Sequence, residues 1–231
     1  MSYKQDLSIV IPTLGETILN NTLESILNGS VIPREIIVVL PMGHNFKLKI
    51  DNKNSDIIKI VFSKQKGQVN QRIFGFKKSN YKYVLQLDSD ILLNPETIKN
   101  LIKFADNNYS KIAVAPMLYP IKINKNTKES FMIKLRNLII SKKTQLKPGI
   151  ITDIGYNSWF NEKDISKDTY VVDWLPGGCI LHKKENLILQ NYYPFNGKAY
   201  CEDVIHSLYL KQKNVKLQLL TNEKIKNMGY S

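Results

Sequence analysis

The sequence predicts one α/β domain with a mostly parallel central sheet, helices on both faces and a less regular C-terminal half. Three observations carry this expectation. Short, largely apolar runs recur along the first half, and stretches of helical spacing lie between them. Wholly apolar strands alternating with amphipathic helices are the pattern of βαβ units, whose parallel strands are buried on both faces. At 231 residues and 43% hydrophobic content, with no repeat, low-complexity block or linker, the chain has one core to build.

The elements follow in order. Leu7–Ile11 (LSIVI) is a buried strand closed by Pro12. Glu16–Asn28 places Ile18, Leu19, Leu23, Ile26 and Leu27 at helical spacing, with Gly29 as a stop. Glu35–Leu40 (EIIVVL) and Ile57–Phe62 (IIKIVF) are the next strands. Gly67–Lys78 is a helix with Val69, Ile73 and Phe76 inward, and Tyr83–Leu87 is a strand. Pro95–Phe104 is a helix with proline in its first turn, and Ile112–Pro116 a strand. From about Leu118 to Asp173 the pattern loosens. It returns in Val171–Leu181, in a helix near Glu202–Lys211 and in a strand at Val215–Leu220.

Lysine and arginine number 33 against 20 acidic residues, a net charge of +13. That balance favours an anionic partner: a phosphorylated substrate, nucleic acid or an anionic membrane surface. The two cysteines, Cys179 and Cys201, stand apart, which argues against a zinc cluster and for free thiols in a reducing compartment. The N-terminal MSYKQDLSIV lacks the apolar core of a signal peptide, and no apolar run approaches the roughly 20 residues that span a bilayer. The expectation is a cytoplasmic protein, soluble or peripheral.

Ligands of parallel sheets bind at the carboxyl ends of the strands, and there the sequence reads Asp88-Ser89-Asp90. On an extended backbone residues i and i+2 point to one side, roughly 6–7 Å apart. Two close carboxylates repel, and burying them is costly unless a cation sits with them. A hard divalent ion, shared with substrate phosphates, suits such a pair. The alternative is a polar turn in which Asp90 or Asn94 caps the next helix. Lys64-Gln65-Lys66-Gly67-Gln68 opens the helix carrying Arg72, and a helix N-terminus beside glycine and lysine suits a phosphate. Trp174-Leu175-Pro176-Gly177-Gly178 lets backbone approach a ligand closely, or makes a tight turn with Trp174 in the core. Tyr200-Cys201-Glu202-Asp203 opens another helix, its acids serving either as simple caps or as a general base.

LSIVIPTLGE, KGQVNQRIFGF, LQLDSD, WLPGGCILHKKE and CEDVIHSLYLK, in this order, resemble the family 2 glycosyltransferases of the GT-A fold. The likeness covers most of the chain and is weak between 119 and 170. It implies a single GT-A (Rossmann-like) domain over 1–231, with a nucleotide-sugar half at 1–117 and an acceptor half at 118–231. It implies inverting transfer of a sugar from a nucleotide-diphosphate sugar, UDP foremost, to the hydroxyl of a glycan or lipid-linked acceptor, as in surface-glycan or polysaccharide biosynthesis. Carried over, Pro12, Thr13 and Glu16 border the nucleotide; Lys66, Gly67 and Arg72 lie near its base or diphosphate. Asp88 and Ser89 approach the nucleotide, and Asp90, with Asp88, ligates Mn2+ or Mg2+. Trp174, Gly177 and Gly178 shape the acceptor side. Asp203 is the base, with Glu202 beside it.

Two features depart from the family. The place after the second strand, where many relatives carry acids, reads Val39-Leu40-Pro41-Met42-Gly43, so base recognition differs. No histidine follows His206, which leaves a third metal ligand to water or to a chain continuing past Ser231. His44, His182 and His206 therefore read as structural or surface residues.

The rival enzyme is a sugar-1-phosphate nucleotidyltransferase, whose glycine- and arginine-rich loop is replaced here by PTLGETILNN. A non-catalytic nucleic-acid-binding protein is the other rival, suggested by the charge and 12 tyrosines. The lysines are scattered and no nucleic-acid motif occurs, so no nucleic-acid partner is expected. Phe131–Lys143 (FMIKLRNLIISKK) mixes apolar and basic residues, either as a core-packed helix or as one resting on the inner face of an anionic membrane.

Overall fold

The strands form where apolar and β-branched residues run together, and they are longer than the apolar runs alone suggest. A computed structural model of the chain describes residues 3–44, 47–50, 55–120, 149–153, 155–158, 165–195 and 199–228. In chain order the elements are β1 (Tyr3–Pro12), α1 (Leu19–Leu27), β2 (Val31–Pro41), β3 (Ile58–Ser63), α2 (Gln68–Lys78), β4 (Tyr83–Leu87), β5 (Ile91–Leu92) and α3 (Thr97–Asp106). There follow β6 (Ile112–Pro120), β7 (Thr169–Val171), β8 (Cys179–Lys183), α4 (Glu202–Gln212) and β9 (Lys216–Asn227). Polar Tyr3–Gln5 joins β1 because it pairs with Val31–Pro33 of β2 across a register shift. The polar end of β9 is likewise extended by pairing with β6 and β5. The basic segment Phe131–Lys143 lies outside the described residues. Among those described, no helix is long and apolar enough to cross a membrane.

The sheet order is β3-β2-β1-β4-β8-β6-β9-β5, with β7 on β9. β1, β2, β3 and β4 are mutually parallel where they pair, and so are β6 and β9. β8 is inserted antiparallel between β4 and β6. Its direction brings its first residues to the carboxyl end of β4, where Leu87 faces Cys179.

The two-residue period of the strands divides the core. Ile9, Ile11, Ile36, Val38, Leu85 and Leu87 face Leu19, Leu23 and Ile26 of α1 and Ile98, Leu101 and Ile102 of α3. Val10, Ile37, Val39 and Val84 point the other way, under Phe76 of α2. Val69 and Ile73 continue that layer to Leu210 of α4 and Leu217 of β9. Each fully buried aliphatic contributes about 1.5–3 kcal/mol by leaving water. Helices therefore cover both faces, as the sequence predicts, and one sheet runs through both halves of the chain.

α2 sits unusually close to β1 and β2. A Cβ added at Gly75 would meet Val10 Cγ1 at 2.3 Å and Val39 Cγ2 at 3.0 Å. Both are stiff branched side chains in the core. Gly75→Ala should therefore destabilise the fold by about 1–3 kcal/mol through overpacking. Urea unfolding measures this; an unchanged midpoint would contradict the close packing.

Candidate functional site

A cavity of about 300 Å³ opens at the carboxyl ends of β1 and β4, beside the start of α2. Pro12, Thr13, Leu14 and Glu16 line it from the end of β1. Lys66, Gly67, Gln68 and Gln71 line it from α2, and Asp88, Ser89 and Asp90 from the end of β4. Three separate sequence segments thus converge on one cleft.

Each wall is held by local hydrogen bonds. Thr13 Oγ1 donates to Glu16 Oε2 at 2.8 Å and accepts from the Gly15 amide at 3.1 Å. Gly67 precedes α2 with φ of 129°, a conformation open to glycine, and no side chain caps that helix. The positive end of α2 accordingly meets the cleft. Gln71, absent from the sequence reading, ties the walls together. Its Nε2 donates to Thr13 O at 2.8 Å and Val39 O at 2.7 Å, and its Oε1 accepts from the Gly67 amide at 3.2 Å. A glutamine inside an amphipathic helix gives no signal of such a role.

The acidic pair differs from the extended geometry that the sequence suggests. β4 stops at Leu87, and Asp88-Ser89-Asp90 leads into a turn. The Asp88 amide donates to Gly178 O at 2.8 Å, Ser89 O accepts from Thr22 Oγ1 at 2.8 Å, and Asp90 O accepts from the Met228 amide at 2.7 Å. Three distant segments therefore pin the turn. The capping alternative does not hold: α3 has no side-chain cap, and Asn94 Nδ2 donates to Lys224 O at 2.7 Å.

Asp88 Oδ1 accepts from Gln68 Nε2 at 3.1 Å and from Arg72 Nη2 at 3.5 Å. Burial pushes its carboxyl up to about 6; Arg72 opposes the rise, while Glu202 and Asp90 add to it. Burial and the Glu16 charge raise Asp90 as well. Among the described residues no group of three or more histidine, cysteine or acidic side chains gathers as a metal site. The donor set that is present, two carboxylates whose ionisation is opposed by burial and by neighbouring acids, fits a hard divalent ion that takes its remaining ligands from water and phosphate oxygens.

The glycine pair lies between this turn and α4. A Cβ at Gly178 would stand 3.8 Å from Asp88 Oδ2. One at Gly177 would stand 2.9 Å from Glu202 Oε1 and 3.4 Å from Asp203 Cβ. Neither glycine has a positive φ, so their role is to leave space. Asp203, in the first turn of α4, accepts from the Val204 amide at 2.9 Å. Burial raises its carboxyl, the Val204 amide opposes this, and Glu202 raises it further.

Three expected site residues fall elsewhere. Arg72 does not line the cavity; its side chain has no exposure. Glu202 is 6% exposed, does not line the cavity and forms an ion pair with Arg72 at 2.7 Å. A guanidinium and a carboxylate leave water together because each compensates the other. Trp174 is buried at 3% exposure, its Nε1 donating to Ser158 O at 3.2 Å. His182 and His206 are fully buried, and His44 Nδ1 lies 3.1 Å from Leu14 O.

Among the described residues the nine-stranded α/β sheet, with its central strands parallel and one antiparallel strand between them, has the GT-A fold. The model of the family described as Glycosyl transferase family 2 matches residues 8–168, well over half of the chain, and the chain belongs to that family. No curated protein matches it. GalNAc-T7, crystallised with UDP, GalNAc and Mn2+, is similar at 15% identity over 96% of this chain and 42% of that one, with a TM-score of 0.65. TarS of S. aureus is similar at 16% identity over 99% of this chain and 37% of that one, TM-score 0.64. Its residues 1–349 in complex with UDP-GlcNAc give 14% identity, 100% and 59% coverage, and a TM-score of 0.60. The chain thus spans less than two thirds of each of these structures, and at such identities the likeness is one of fold.

The Asp88 environment predicts a pH effect on stability. Its folded value of about 6 exceeds the ordinary 3.8, so the folded protein keeps a proton that the unfolded chain has released. The stability tied to that proton is lost as pH rises through about 6. Without divalent ions, wild type should lose melting temperature relative to Asp88→Asn between about pH 4 and pH 6. Parallel melting curves across that window would contradict this assignment.

Proposed function

We propose that the chain transfers a sugar from a nucleotide-diphosphate sugar, UDP-linked foremost, to an acceptor hydroxyl with inversion at the anomeric carbon. The observation that carries this reading is the shared glycine pair: a Cβ at Gly178 would stand 3.8 Å from Asp88 Oδ2, and one at Gly177 would stand 3.4 Å from Asp203 Cβ. An acidic turn for the donor and a carboxylate base for the acceptor thereby share one small region. The donor site of the reading is the cleft of Thr13, Lys66 and the uncapped start of α2, whose charge suits a diphosphate. Further support is the family and the nucleotide-bearing neighbours, GalNAc-T7 with UDP and TarS with UDP-GlcNAc.

In this reading Asp203 accepts the proton of the attacking hydroxyl as its oxygen bonds to C1. The bond from C1 to the phosphate oxygen breaks, and its electron pair leaves on the diphosphate, beside Lys66 and the positive end of α2. One displacement from the opposite face inverts the configuration. Asp88 and Asp90 would hold Mn2+ or Mg2+, which supplies charge neutralisation for the leaving diphosphate. The raised carboxyl of Asp203 suits a base better than an ordinary aspartate does. A net charge of +13 suits an anionic or lipid-linked glycan acceptor, polysaccharide assembly and peripheral contact with an inner membrane face.

Two measurements test the reading. Asp203→Asn should lower turnover by about 10²–10⁴-fold while donor affinity changes little; turnover close to wild type would remove Asp203 as the base. In a panel of UDP-, GDP-, dTDP- and CMP-sugars with Mn2+ or Mg2+, one nucleotide should raise the melting temperature, and Asp90→Ala should abolish the metal-dependent part. No response to any donor would overturn the proposal.

A further inference from the structure

Arg72 heads the fully buried side chains in size. A guanidinium stays protonated, so its burial is tolerated only among groups that compensate the charge. Three groups do so, each from a different segment of the chain. Nη1 donates to Glu202 Oε2 at 2.7 Å and to Tyr192 Oη at 3.0 Å. Nη2 donates to Asp88 Oδ1 at 3.5 Å. Tyr192 Oη donates in turn to Glu202 Oε2 at 3.0 Å. The Tyr192 ring stacks on His206, three residues beyond Asp203, with centroids 4.9 Å apart and planes at 14°.

Cys201, at the N-cap before the first turn of α4, has φ of 56° and supplies no side-chain cap. Glu202 Oε1 abuts Gly177, so the carboxylate is confined by backbone on one side and by Arg72 on the other. Asp203 is the next residue on that turn.

We propose that Arg72 and Glu202 are positioning residues: their buried ion pair fixes the first turn of α4, and so holds Asp203 in register with the Asp88 end of the cleft. The inference rests on the reading of Asp203 as the base. Arg72 has no surface with which to touch a substrate, so its influence passes through Asp88 and Glu202. Both partners act as one unit, since either alone leaves a buried charge without its counterpart.

The test compares wild type with Glu202→Gln, Arg72→Gln and the double variant. Turnover and donor affinity are measured separately, together with hydrogen exchange at the Ile205 amide, which donates to Cys201 O at 3.2 Å. Glu202→Gln should lose about 10–10²-fold in kcat with donor Kd within about twofold, because a misplaced base slows the chemical step and leaves binding alone; Arg72→Gln should lose at least as much in kcat. The double variant should be no worse than the worse single one, and Ile205 should exchange faster in all three. Wild-type kcat in folded Glu202→Gln, a loss confined to donor Kd, or additive losses in the double variant would overturn the inference. Should Arg72→Gln fail to fold, Glu202→Gln decides by the same criteria. Should wild type bind no nucleotide sugar, the functional reading fails, and exchange at Ile205 alone judges the anchoring: faster exchange sustains it and unchanged exchange overturns it.

Discussion

The antiparallel insertion of β8 is the constraint on which the site depends. Parallel βαβ units bring Pro12 and Leu87 to one end of the sheet, but they supply acids and a helix N-terminus only. A strand entering from the opposite direction starts where β4 stops, with Cys179 opposite Leu87. The two residues before it must then cross the end of β4, and the bond from the Asp88 amide to Gly178 O fastens that crossing. A Cβ at Gly177 would press on Glu202 Oε1 at 2.9 Å and stand 3.7 Å from Gln86 Nε2 of β4. The glycine pair is thus the meeting point of the Asp88–Asp90 turn and the start of α4.

Charge is distributed against the average of the chain. A protein of net charge +13 gathers Glu16, Asp88, Asp90, Glu202 and Asp203 around one end of its sheet. Arg72 is the buried counterweight, and it also keeps the neighbouring imidazole of His206 neutral: burial first, and the guanidinium second, push that ring down to about 3. The residual cost of the acids is visible in the raised carboxyls of Asp88, Asp90 and Asp203. Sites whose ionisation is opposed in this way are where a cation or a transferred proton gains most.

Much of the fold was legible because strand burial leaves a local signature. LSIVI, EIIVVL and YVLQL are buried on both faces, and their runs mark β1, β2 and β4 whatever their partners. The extra length of β1 and β9 was not legible, because Tyr3–Gln5 and the polar end of β9 are strands only by virtue of neighbours. Pro12, Thr13, Glu16, Lys66, Gly67 and the Asp88–Asp90 turn, which residue type and the family resemblance single out, line one cleft. Gln71, Thr22 and Met228 escaped notice, since a polar bond to backbone from a distant segment leaves no pattern.

The sequence by itself determined the alternation of strands and helices, the burial of the strands and the family, since all three are written in local spacing and residue type. Only the tertiary structure decided the direction of β8, the turn at Asp88-Ser89-Asp90, and the withdrawal of Arg72 and Glu202 from the cleft. Those outcomes depend on which segments meet. A charged side chain reads as exposed until a partner from 130 residues away removes the cost of burying it.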